Sequence, residues 1–188
     1  GRPLALPALD QRSTTPAVDV RPALFSSEEC AHVKALAAPL LAPSIVIDSR
    51  TGRQSPNPIR SSFDAVLGPI QQDMVVHALN LRIAAATGTD VDQGEPLVIL
   101  RYQPGQQYRV HHDGLPGETN QREKTAIVYL NDDYVGGETT FPALDLAIKG
   151  GSGDVLSFAN TLPDGRIDER SRHAGQPVQS GVKWICTR

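Results

Sequence analysis

The spacing of apolar and polar residues changes character near Gly94. Before it, two stretches follow a helical period. Ser26 stands three residues before Glu29, the pattern of a capping box, and opens a predicted helix through about Leu41 that Pro43 stops. Pro69, suited to a first helical turn, opens the longest helical pattern, to about Thr87. Ile70, Met74, Leu79 and Ile83 are among its apolar positions, and Gly88 ends it. Val18–Arg21 alternates as a short strand, Ser44–Asp48 and Ile59–Leu67 read as two more, and the breaker-rich residues 49–58 read as a mobile loop. Residues 1–17 carry three prolines and little periodicity, and read as an irregular arm.

After Gly94 the period shortens to two. Strands are predicted at Leu97–Tyr102, Tyr108–His112, Thr125–Leu130, Thr139–Phe141, Leu146–Ile148, Asp154–Ala159, Arg172–Ala174 and Lys183–Thr187, separated by Gly, Pro, Asn and Asp. Short strands at this spacing predict a sandwich or jelly roll. The fold class read from the pattern is therefore α+β. An irregular arm (1–17) precedes one domain (18–188), with helical support and flanking strands to residue 94 and a jelly-roll core over 95–188.

Composition narrows the function. Of 188 residues, 39% are apolar and 21% charged, with a net charge of −3, which is ordinary for one globular domain. A weakly acidic chain with no Lys/Arg run carries no electrostatic footprint for nucleic acid. No apolar stretch approaches the roughly 18 residues of a membrane span. Cys30 and Cys186 are isolated, with no CxxC spacing, and read as reduced thiols in a cytoplasmic protein. Nothing in the sequence speaks to oligomeric state.

The densest chemistry lies in Tyr102-Gln-Pro-Gly-Gln-Gln-Tyr-Arg-Val-His-His-Asp113. On a strand, residues two apart share a face, so His111 and Asp113 project together while His112 turns away. An imidazole beside a carboxylate is two-thirds of a facial triad, the ligand set that leaves three positions of Fe(II) open. His32 and His77 fall in the predicted helices. His173, near a late strand, is the natural third ligand. Two other readings stay open: His-x-Asp occurs in many chains that hold no metal, and a bulge would exchange His111 with His112. Lys183 is flanked by Val182, Trp184 and Ile185, with no acidic neighbour in sequence. Taken alone it reads as a lysine that snorkels from an edge strand; if buried, it needs a partner anion, which a bound dicarboxylate would supply.

Together these segments resemble the prolyl 4-hydroxylase family of Fe(II)/2-oxoglutarate-dependent dioxygenases. The family pattern Y-x-x-G-Q-x-Y-x-x-H-x-D matches Tyr102 to Asp113. G-G-E-T-x-F-P matches Gly136 to Pro142. Gly153-Asp-Val-Leu-Ser-Phe158, Pro163-Asp-Gly165, His173-Ala-Gly-Gln-Pro-Val178 and Gly181-Val-Lys-Trp184 follow in family order. The match covers residues 97–188, half the chain.

The resemblance implies a double-stranded β-helix (jelly roll, cupin-like) with N-terminal supporting helices. It implies Fe(II) held by His111, Asp113 and His173. It also implies 2-oxoglutarate paired through its distal carboxylate with Lys183, helped by the hydroxyls of Tyr102 and Thr139. O2 would be the second co-substrate and ascorbate a supporting reductant. Tyr108 resembles the family tyrosine that faces the substrate, and Arg60 and Ser62 resemble its R-x-S segment on the substrate side. Trp184, by alternation, turns away from Lys183 toward the core. The implied reaction is hydroxylation of a prolyl residue in a protein or peptide, with succinate and CO2 as co-products, beneath mobile segments at Thr51–Pro58 and Leu115–Glu123. The same chemistry on a free amino acid, another side chain or a small metabolite is the first alternative, because substrate choice lives in loops. A non-catalytic metal-binding jelly roll is the second, and it gives Lys183 and Tyr102 no purpose.

Overall fold

The computed structural model describes residues 5–47, 54–56 and 59–188. In chain order the strands are β1 (Asp10–Thr14), β2 (Ala17–Arg21), β3 (Ala42–Pro43), β4 (Ile45–Ile47), β5 (Gln54–Pro56), β6 (Phe63–Leu67), β7 (Leu97–Tyr102) and β8 (Tyr108–His111). They continue with β9 (Lys124–Tyr129), β10 (Val135–Gly136), β11 (Thr139–Phe141), β12 (Leu146–Ile148), β13 (Val155–Ala159), β14 (His173–Gly175), β15 (Val178–Ser180) and β16 (Lys183–Thr187). Two helices, α1 (Ser27–Ala37) and α2 (Met74–Thr87), lie in the first half. Eight strands form the major sheet in the order β1-β2-β13-β9-β16-β7-β6-β3, and β12-β11-β14-β8 form the minor one. All pairings are antiparallel among the described residues. The fold is the α+β jelly roll expected from the pattern.

The two-residue period of the major sheet divides its side chains between two cores. Leu97 and Ile99, Ala126 and Val128, Val155, and Cys186 face the helices, where Val33, Val76, Leu79 and Ile83 pack on them. Residues of the other parity, Leu100 and Tyr102, Ile127 and Tyr129, Leu156 and Phe158, and Ile185, face the minor sheet and meet Phe141 and Ile148. The central strands read as near-continuous apolar runs because both faces are covered. Trp184 packs against the helix-side core, as its parity requires.

The helices are tied to each other as well as to the sheet. Ser26 and Glu29 form the expected capping box at α1, and Glu29 also receives two hydrogen bonds from Arg82 of α2, at 2.6 and 2.7 Å. Asp73 caps α2 through the Val76 amide and meets His32 of α1 at 2.6 Å.

Three local expectations are corrected. α2 begins at Met74, not at Pro69, because Asp73 supplies the cap while residues 68–73 turn. Ile70 and Met74 therefore stand 94% and 88% exposed and belong to no apolar face. Residues 10–14, read as irregular, form β1 and join the major sheet beside β2. Of the lid expected at Thr51–Pro58, residues 51–53 and 57–58 lie outside the described residues, and Gln54–Pro56 pairs with Ile45–Ile47. No helix among the described residues is long and apolar enough to cross a membrane.

Gly153 has φ +86°, and a Cβ there would overlap the carbonyl oxygen of Phe25, whose amide bonds back to Gly153. Gly105 has φ +82° and open space around it. Gly105→Ala is expected to cost about 1 kcal/mol for conformation alone. Gly153→Ala should cost about 2–5 kcal/mol, because the chain must also shift. Urea unfolding of both variants checks the order.

Candidate active site

β8 and β14 pair antiparallel with His111 directly opposite His173. Cross-strand partners project to one face, and the two imidazole rings lie 4.3 Å apart between centroids. The chain leaves β8 at His111, and Asp113 follows two residues later on the same side. Its Oδ1 lies 3.4 Å from His111 Nε2 and its Oδ2 3.7 Å from His173 Nε2. One donor atom from each of the three residues falls within a span of 4.8 Å. The register of this pair shifts between His173 and Gly175, so the irregularity falls before His111 and does not exchange it with His112. His112 instead turns its Nδ1 to the Gly114 carbonyl at 3.0 Å.

The donor chemistry suits a divalent ion. Nδ1 of His111 lies 2.8 Å from the Arg109 carbonyl, and Nδ1 of His173 lies 3.1 Å from the Ser171 carbonyl. A carbonyl only accepts, so each Nδ1 carries the proton and each Nε2 presents a lone pair to the centre of the cluster. Burial disfavours the charged form of Asp113, but the His111 and His173 imidazoles when each carries a second proton, together with the hydrogen bond from Thr125, outweigh it and hold the carboxyl well below the usual carboxylate range. His173 is pushed down from its ordinary value, chiefly by burial, which favours the neutral imidazole that binds metals. Phe141 and Phe158 pack around His173, with centroids 5.6 and 4.7 Å from its ring, and wall the cluster from the core.

The cluster opens into a cavity of about 570 Å³ that also reaches Lys183, Tyr102 and Thr139. Lys183 pairs with Tyr102 across β16 and β7. It shares the parity of Ile185 and therefore points inward, 3% exposed. The snorkelling alternative is excluded by this placement. Its Nζ donates to the Gly137 carbonyl at 2.7 Å and sits 5.6 and 5.9 Å from the rings of Tyr102 and Tyr129. Burial drives its pKa down from 10.5 to about 8, against the attraction of Glu138. Thr139 is buried and accepts from the Tyr129 hydroxyl at 3.1 Å.

On the opposite side Tyr108 stacks on His111, centroids 3.5 Å apart at 12°, and the Arg60 guanidinium lies 5.4 Å over the Tyr108 ring. Arg60 and Tyr108 both line the cavity. Ser62, expected on the substrate side, does not. It is buried, with its hydroxyl 2.8 Å from Ser44 Oγ and near the Tyr102 phenol. Its place one residue before β6 sets it beside the sheet rather than in the cavity. Leu115 to Gln121 form a self-tied loop beside the cavity: the Gln121 side chain accepts from the Leu115 amide at 2.9 Å and donates to the Glu118 carbonyl at 2.8 Å.

Four site residues were not foreseen: Thr125, Tyr129, Asn160, which donates to Thr125, and Arg122, which lines the cavity and pairs with Glu95. Thr125 and Tyr129 share the inward parity of Ile127, and two polar groups at one parity in an apolar strand are the signal that could have found them. Asn160 and Arg122 lie outside regular strands and give no such signal.

The jelly roll and the His-Asp-His cluster fit a 2-oxoglutarate- and Fe(II)-dependent oxygenase, and the model of the 2OG-Fe(II) oxygenase superfamily matches residues 97–188. Prolyl 4-hydroxylase 1 of Arabidopsis thaliana is 34% identical over 195 residues, covering 94% of this chain and 69% of that protein. Viral collagen prolyl hydroxylase from Paramecium Bursaria Chlorella virus-1, in its 2OG complex, superposes with a TM-score of 0.72 at 26% identity, over 90% of this chain and 93% of that one. A Pseudomonas putida prolyl-4-hydroxylase shares the fold, with a TM-score of 0.65 at 17% identity over 93% of this chain and 91% of that one. Within the superfamily, the chain belongs to the prolyl 4-hydroxylase family. It spans 69% and 65% of the length of two of the plant relatives it matches. The family's cofactor and co-substrates are Fe(II), 2-oxoglutarate and O2.

Lys183 sets a pH dependence. Its folded pKa lies below its unfolded one, so above about pH 8 the unfolded chain binds more protons and stability rises with pH toward 10.5. Below pH 8 the buried charge costs roughly 3 kcal/mol. Lys183→Met should therefore stabilise the ligand-free protein at pH 7, and its advantage over the parent should shrink between pH 8 and 9.5. Urea unfolding of both proteins across that range reads the difference.

Proposed function

We propose that this protein hydroxylates a prolyl residue of a protein or peptide, consuming 2-oxoglutarate and O2 and releasing succinate and CO2. One observation carries the reading: a single cavity joins the His111–Asp113–His173 cluster to a buried lysine that has no carboxylate partner among the described residues. A closed structural metal site would need no such lysine. The named relatives, plant prolyl 4-hydroxylases and a viral collagen prolyl hydroxylase, support a prolyl substrate.

In this reading His111 Nε2, Asp113 and His173 Nε2 hold Fe(II), and the bound ion with its co-substrates supplies the oxidising chemistry that hydroxylates a C–H bond. Lys183 pairs with the distal carboxylate of 2-oxoglutarate, and Tyr102 and Thr139 place their hydroxyls beside it. The aromatic surroundings of Lys183 exclude water, so its charge-assisted bond is stronger than an exposed one would be. Tyr108 and Arg60 form the substrate side, with Tyr108 held flat against a ligand imidazole. Ascorbate serves as a supporting reductant. Cys30 and Cys186 are free, buried thiols, which supports the cytoplasmic setting read from the sequence.

Incubation with Fe(II), ascorbate, 2-oxoglutarate and a library of proline-containing peptides tests the reaction. The expected result is succinate release together with a gain of one oxygen on proline, absent in Asp113→Ala. Succinate formation stimulated by a different substrate would move the target elsewhere, and no turnover with iron bound would leave a binding module. His112→Ala should keep substantial activity. Lys183→Ala should raise the 2-oxoglutarate requirement by one to two orders of magnitude, the worth of about 1.5–3 kcal/mol for a charge-assisted bond.

A further inference from the structure

The carboxylate of Asp113 does not stand alone. Thr125 Oγ1 donates to Asp113 Oδ2 at 2.7 Å, and Asn160 Nδ2 donates to Thr125 Oγ1 at 2.8 Å. The three residues come from separate segments: the turn after β8, the inward parity of β9, and the residue after β13. Asn160 is 0% exposed, and its backbone is pinned on both sides, its amide donating to the Glu123 carbonyl and its carbonyl accepting from the Asp168 amide, each at 2.8 Å.

The direction of this chain follows from donor counting. A threonine hydroxyl has one proton and can donate it once. The ionised Asp113 carboxylate only accepts, so the hydroxyl proton goes to it, and Asn160 must present its NH2 rather than its oxygen to Thr125. A free hydroxyl could rotate toward another acceptor; this one is set by a rigid neighbour. Gly114, next to Asp113, has no room for a side chain because Ile167 lies against it, which holds the same turn from the other side.

We infer that Thr125 and Asn160 are positioning residues that fix the Asp113 carboxylate for metal binding, with Asn160 acting through the orientation of the Thr125 hydroxyl. Neither is one of the three ligand residues, and each acts through the Asp113 carboxylate. Their effect is to hold Oδ2 in one place, so that the carboxylate reaches the two Nε2 atoms in a fixed rotamer and loses little freedom when the ion binds. The inference rests on the reading of His111, Asp113 and His173 as a metal site.

Binding of Mn(II), a spectroscopic stand-in for Fe(II), to the full chain tests it, with free Mn(II) read by electron paramagnetic resonance and folding checked by circular dichroism. Thr125→Val, which keeps the shape and removes the hydroxyl, should weaken Mn(II) binding about 10- to 100-fold, the usual effect of removing a partner of a metal ligand. Thr125→Ser should restore it. Asn160→Leu should weaken binding less than Thr125→Val, and the double variant Thr125→Val/Asn160→Leu should be no weaker than Thr125→Val alone, because the amide acts only through the hydroxyl. Parent-like affinity in Thr125→Val, equal loss in the Val and Ser variants, or additive losses in the double variant would overturn the relay. Should Thr125→Val not fold, unchanged affinity in Asn160→Leu overturns it equally. Failure of the parent chain to bind Mn(II) would overturn the metal reading beneath it, and is distinct from failure of the relay.

Discussion

The register between β8 and β14 is the constraint on which the site depends. His111 and His173 are direct cross-strand partners, and strand side chains alternate with a period of two. A slip of one residue would send one imidazole to the opposite face and separate the ligands. Neighbouring contacts resist that slip: β11 pairs with the other edge of β14, and Phe141 and Phe158 close around His173. The ligand set is thus a property of sheet pairing, and the turn that carries Asp113 adds the third donor to an arrangement already determined by backbone hydrogen bonds.

The same alternation puts polar groups at both ends of the inward face of the major sheet. On β7 and β16 the inward positions pass from Leu100 to Tyr102 and from Ile185 to Lys183, which are cross-strand partners, and at the opposite end β9 passes from Ile127 to Thr125. The cavity therefore runs over the hydrocarbon of Leu100, Ile127 and Ile185, with the lysine and the Tyr102 hydroxyl toward one end and Thr125, the partner of Asp113, toward the other. A charged co-substrate entering it exchanges water for a small number of fixed partners.

Much of this was readable from the residues because it depends on short-range rules. The His-x-Asp spacing on a strand, the capping box at Ser26 and the parity of Lys183 against Trp184 each need only a few neighbouring positions, and each is present in the structure. What escaped depends on contacts between distant segments. Asp73, not Pro69, starts α2 because a cap bond to Val76 and a partner on α1 favour it. Residues 10–14 gain strand character only from pairing with β2. Ser62 resembled a substrate contact, yet its neighbour in space is Tyr102, forty positions along the chain. Asn160 sits at a segment end with no periodic context, and only the crossing of three segments gives its amide a purpose.

The reciprocal ties between the helices have a mechanical consequence. Glu29 belongs to the cap of α1 and is held by Arg82 of α2, while Asp73 caps α2 and is held by His32 of α1, so neither helix can fray at its start without disturbing the other. Behind the major sheet they form a single braced plate. The plate backs the face of the sheet opposite the cavity, so the strands that carry Lys183 and Tyr102 are held from behind by two helices that lock each other.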